Sequence, residues 1–168
     1  MQRRTLLKLG LASGAVLALA GGAAALLRPG LDQGRLTAPA RDLFASLGRA
    51  MLQGALPAEP AAQESALQGL VERIDAVAQN LPAHVQAELS QLAGLLCTAP
   101  GRLALAGLVA GWDEASGDAV RAALDGMRFS GLALRQQAYQ ALHEIVGGAY
   151  FSGESAWAAV GYPGPLAL

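Results

Sequence analysis

Residues 67–81 read Leu67-Gln68-Gly69-Leu70-Val71-Glu72-Arg73-Ile74-Asp75-Ala76-Val77-Ala78-Gln79-Asn80-Leu81, and their spacing decides the fold class. Leu67, Leu70, Val71, Ile74, Val77 and Leu81 recur at steps of three and four, which lays them along one face of a helix. Polar Gln68, Glu72, Arg73 and Gln79 fall elsewhere. Pro82 suits the first turn of a second helix, whose stripe is Val85, Leu89, Leu92 and Leu96. Upstream, Asp42 to Leu56 carries Leu43, Leu47 and Met51 between Pro39 and Pro57. Downstream, Pro100 starts a short helix through Leu103 and Leu108 that ends near Gly111, and Val120, Leu124 and Met127 mark another between Gly117 and Gly131. A last helix runs from about Leu132 to Val146 with Leu134, Ala138, Tyr139, Leu142 and Val146, stopping at Gly147-Gly148.

Sustained two-residue alternation with β-branched residues is missing, so no sheet is expected. The expected fold is all-α: a compact bundle of five to six helices with short antiparallel connections. The chain divides into a leader at 1–27, a linker at 28–38, the bundle at 39–149 and an irregular, aromatic, Pro/Gly-rich tail at 150–168. At 168 residues, there is room for one domain with a real core once the leader is set aside.

The leader opens Arg3-Arg4-Thr5-Leu6-Leu7-Lys8, then carries no charge until Arg28. A basic n-region followed by an apolar run is a secretory signal, and paired arginines assign it to the twin-arginine route, which exports folded proteins. Arg3, Arg4, Leu6, Leu7 and Lys8 are the residues the translocase would read, and the destination is the periplasm. As a helix, Leu9–Leu27 spans roughly 28 Å, close to the ~30 Å hydrocarbon core of a membrane. Two fates stay open. Arg3, Arg4 and Lys8 would hold the N-terminus of an anchor inside, while Ala18-Leu19-Ala20 and Ala23-Ala24-Ala25 fit a small-x-small cleavage site and the Gly/Ala-rich run favours cleavage.

Formal charge is −1. Cleavage after Ala25 removes three cations and leaves nine positive against thirteen negative residues, or −4. A mildly acidic body argues against nucleic acid as a partner, since phosphate binding needs a basic face. Cys97 is the sole cysteine, so no internal disulfide forms, and its apolar surroundings suggest a small core residue. His84 with Glu88 could offer two metal ligands from one helical face, but no further Cys or His completes a site. His143 beside Glu144 is the one pair that an enzyme reading could use. No G-x-G-x-x-G follows a strand and no C-x-x-C-H occurs. Asp113-Glu114 beside Trp112 reads as a helix boundary. No catalytic, cofactor-binding or metal residue is assigned.

Four of the eight aromatic residues lie in the tail: Tyr150, Phe151, Trp157 and Tyr162. With Pro163, Gly164 and Pro165 fixing the backbone, they either fold back to close the core or stand displayed as partner anchors. Trp157 and the closing Val160-Gly161-Tyr162-Pro163-Gly164-Pro165, together with the arginine-pair leader and the helical body, resemble the gluconate 2-dehydrogenase subunit 3 family. The resemblance covers most of the chain in layout and is specific in the leader and the tail. It implies a non-catalytic small subunit of a periplasmic dehydrogenase, partnered by an FAD-containing catalytic subunit of the glucose-methanol-choline (GMC) class and in some complexes by a multihaem cytochrome c. FAD is then expected in the partner, with no cofactor in this chain. The alternative expectation is a free-standing periplasmic or membrane-anchored helical binding or scaffold protein.

Overall fold

Helix Ala38–Met51 (α1) carries Leu43, Phe44, Leu47 and Ala50 at helical steps, and with Ala40 and Gly48 they bury most of its circumference. A helix with so wide an apolar face belongs in the interior, with Arg41, Asp42 and Arg49 on its remaining side. Accordingly α1 packs against four of the five other helices described below. The computed structural model describes residues 28–163; the leader, its cleavage sites and the anchor alternative, like Gly164 and Pro165, lie outside the described residues. Around α1 stand Pro60–Asn80 (α2), Ala83–Cys97 (α3), Ala99–Ala106 (α4), Gly117–Arg128 (α5) and Ala133–Phe151 (α6), followed by a 3₁₀ turn at Glu154–Val160. The fold is an all-α bundle, and among the described residues none of its helices is long and apolar enough to cross a membrane.

The expected stripes form the core. Leu67, Leu70, Val71 and Ile74 of α2, Leu89 and Leu96 of α3, Val120, Leu124 and Met127 of α5, and Ala138, Leu142 and Val146 of α6 are all buried. Other members of those stripes are not: Leu81, Val85, Leu92 and Tyr139 are half-buried, and Val77 and Leu134 stand exposed. Helix starts follow local chemistry. Glu59 caps α2 by accepting from the backbone N–H groups of Ala61 and Ala62 at 3.0 and 2.6 Å, which lowers its carboxyl pKa. Thr98 caps α4, its hydroxyl accepting from Gly101 N–H at 3.2 Å and donating to Leu95 C=O at 2.8 Å. A Cβ at Gly101 would lie 2.1 Å from the Leu95 carbonyl oxygen, so only glycine lets α4 turn back this tightly on α3.

Four boundaries differ from expectation, the first being α1, which spans Ala38–Met51 and not Asp42 to Leu56. Residues 28–38 are not a linker: Leu31–Asp32 (β1) and Arg35–Leu36 (β2) pair antiparallel, and both leucines enter the core. Gln33 and Gly34 both have positive φ, 48° and 78°, the mark of a two-residue hairpin turn. Helix α4 ends at Ala106, stopped by a left-handed Gly107 (φ 71°), and buried Leu108 follows in the loop rather than on a helix near Gly111. Helix α6 runs through Gly147-Gly148 to Phe151. Tertiary contacts carry it past the glycines: Arg73 Nε donates to Ala149 C=O at 2.7 Å, Tyr150 Oη donates to Ala55 C=O at 2.9 Å, and Ala149 and Tyr150 are buried.

Buried Asp75 ties the hairpin to the bundle. It occupies a position beside Ile74 and Ala78 on α2, accepts from Leu36 N–H at 2.7 Å, and forms an ion pair with Arg41 of α1. One carboxylate thus joins β2, α1 and α2.

Candidate partner interface

The C-terminal aromatics separate into an anchor and a displayed group. Tyr150 faces inward from the last turn of α6, and its hydroxyl reaches the loop before α2. It is therefore a core-closing residue, not a displayed one. Phe151, next in sequence, points the other way with 37% of its surface exposed and meets Tyr150 edge to face at 5.2 Å. Beyond it the chain does not wander: Ala156 is buried at 1% exposure and pins the 3₁₀ turn to the bundle. A Cβ at Gly153 would lie 3.2 Å from the Arg73 guanidinium, so the arginine that holds the end of α6 also lies beside the start of the turn.

On that support stands a small aromatic cluster. Trp157 Nε1–H donates to Phe151 C=O at 3.1 Å, which orients the indole over the helix end. Tyr162 packs edge to face on Trp157 with ring centroids 5.3 Å apart, and its N–H donates to Trp157 C=O at 3.0 Å. Trp157 is half-buried, Tyr162 48% exposed and Pro163 exposed. The structure therefore brings Phe151, Trp157, Tyr162 and Pro163 to one place and withdraws Tyr150 from it. Such a surface, aromatic with polar tips, has the composition of an interface anchor.

A second apolar surface lies at the other end of α6. Phe129 (74% exposed), Leu132 (64%) and Leu134 flank the Ser130-Gly131 connection between α5 and α6. Arg135 Nε donates to Leu105 C=O, which brings the end of α4 to the same region, with Leu103 and Val109 (80%) also exposed. Sequence periodicity placed Leu134 on the buried stripe and passed over Phe129. The available signal was an aromatic and two leucines around a Ser-Gly turn, where polar residues are the rule.

No family model, curated protein or solved structure matches this chain.

Chemistry elsewhere is sparse. A cleft of about 90 Å³ is lined by Pro39, Asp42, Cys97, Arg102, Gly111, Trp112 and Asp113. Trp112 is buried, its Nε1–H donating to Leu96 C=O at 2.8 Å, and Asp113 and Glu114 are exposed on the turn that follows. Cys97 is half-buried rather than fully enclosed. Its burial pushes the thiol pKa up to about 11, the Arg102 guanidinium opposing and Asp42 adding to the rise. A thiol held neutral in this way is a poor nucleophile. His84 and Glu88 are exposed on α3. His143 is exposed and stacks on Tyr139 at 5.7 Å, while Glu144 accepts from Gln140 rather than from the histidine. Among the described residues no group of three or more His, Cys, Asp or Glu side chains could hold a metal ion.

Proposed function

We propose that this chain is the non-catalytic small subunit and export escort of a periplasmic flavin-dependent sugar or alcohol dehydrogenase of the GMC class. It would supply the twin-arginine signal to a catalytic subunit that has none and stabilise it afterwards. The observation that carries the reading is the pair Arg3-Arg4 with Lys8 ahead of an uncharged run, on a chain whose tail also resembles the closing motif of such subunits. The physical logic agrees. Flavin is inserted in the cytoplasm, so the holoenzyme must cross the membrane folded, and a stable helical partner can lend it passage.

A contact that survives translocation should be large and apolar, above ~2,000 Å² in total. The cluster of Phe151, Trp157, Tyr162 and Pro163 is the surface we assign to it, with Gly164 and Pro165 continuing the same segment. In cells co-expressing the flavoprotein, replacing Arg3 and Arg4 by Lys should strand flavin-dependent dehydrogenase activity in the cytoplasm. Trp157→Ala with Tyr162→Ala should lower co-purification while leaving the helical body folded. Arrival of the flavoprotein in the periplasm after deletion of this chain would overturn the escort role, and undiminished assembly of the double variant would remove the tail as anchor.

A further inference from the structure

We propose that the end of the bundle bearing the α5–α6 turn is a self-association surface, on which two copies of this chain meet about a twofold axis. The reasoning is independent of the escort role and rests on area and charge. Phe129, Leu132, Leu134, Leu103 and Val109 all stand more than half exposed, the first three around the α5–α6 turn and the other two on α4 and the loop after it, which Arg135 ties to the start of α6 through Leu105 C=O. An apolar surface of this kind is on the order of 500 Å², near the upper size a monomer shows without a partner. Two copies face to face would bury roughly 1,000 Å², the lower limit of a specific interface.

The charges at the rim select a second copy over other partners. Asp125 and Arg128 are both exposed and lie three residues apart on the last turn of α5. Among the described residues neither forms an ion pair. Arg128 instead lies over the Phe129 ring, 5.1 Å from its centroid, at the edge of the apolar surface. A twofold interface is self-complementary: what residue i offers, residue j of the other copy must accept. One acid and one base beside a shared apolar centre meet that condition, with Arg128 of each copy against Asp125 of the other. A lipid surface would want cations alone here, and Asp125 opposes it.

Sedimentation of the full-length chain tests the inference. A dimer with a dissociation constant on the order of 10 μM is expected from a contact of this size. Phe129→Asp or Leu132→Ser should raise that constant at least tenfold with the helical circular dichroism unchanged, because both side chains are exposed. Arg128→Asp should weaken the dimer similarly, and an equimolar mixture of Arg128→Asp with Asp125→Arg chains should restore it, since opposite charges then face each other across the axis. A wild-type chain that is monomeric at 100 μM would overturn the proposal. So would a dimer indifferent to Phe129→Asp, the behaviour of an association driven by the leader. Binding of anionic vesicles through Phe129 in place of dimerisation would overturn it as well.

Discussion

At the scale of single residues, Cys97 shows how packing sets chemistry. The sequence places it on the apolar side of α3, and burial there disfavours the thiolate more than Arg102 favours it, so the pKa stands near 11. Near pH 8 the folded chain should therefore react with iodoacetamide about 100-fold more slowly than the urea-unfolded chain. The sign for stability follows from the same shift. Below the ordinary thiol pKa of about 9, the thiol is neutral in both states and contributes nothing unfavourable; between there and 11 only the unfolded chain ionises, so stability falls as pH rises through that window. Equal labelling rates for folded and unfolded protein would show that the thiol is not held in this environment. Periodicity can foresee that Cys97 is near the core, but not that Asp42 and Arg102 converge on it, because those two come from other helices.

At the scale of elements, the legible part of the fold is the part that short-range pattern controls. Apolar steps of three and four locate α1, α2, α3, α5 and α6, and the prolines and glycines between them set the breaks. What pattern misses is decided by long-range contact. Gly147-Gly148 looks like a helix stop, yet α6 continues because Arg73 and Tyr150 fasten its last turn to α2 and to the loop at Ala55. The hairpin at 31–36 is too short to show alternation, and it exists because Leu31 and Leu36 are buried and Asp75 accepts the Leu36 N–H. Asp75 itself reads as a polar interruption in an apolar face, and only its two partners, Leu36 N–H and Arg41, reveal its purpose. Asp75→Ala should cost about 2 kcal/mol, the penalty for leaving the Leu36 N–H unsatisfied and Arg41 unpaired. The urea midpoint should fall with its slope unchanged, and hydrogen exchange at Leu36 should lose its protection first. Full protection at Leu36 in that variant would mean that the leucine side chains alone hold the hairpin.

At the scale of the whole molecule, α6 acts as a spacer. Its 19 residues span roughly 28 Å, with the α5–α6 turn at one end and the Phe151–Trp157–Tyr162 cluster at the other. The aromatic cluster was legible as an interface candidate because Trp and Tyr crowd a short segment. The turn was not, since exposure of Phe129 and Leu134 depends on where α4 and α5 end in space. Two apolar surfaces separated by the length of a helix can be occupied together without competing. If the cluster takes a catalytic subunit and the turn takes a second copy of this chain, the assembly is two small subunits joined in the middle with one large subunit at each outer end. Mass photometry of the co-expressed complex should then give a 2:2 stoichiometry at micromolar concentration, and Phe129→Asp should halve the particle to 1:1 without releasing the flavoprotein. Trp157→Ala with Tyr162→Ala should do the reverse, leaving a dimer of small subunits alone. A 1:1 particle from the wild-type pair would sink the dimer while sparing the escort, and loss of the flavoprotein on Phe129→Asp would move the catalytic subunit from the tail to the turn.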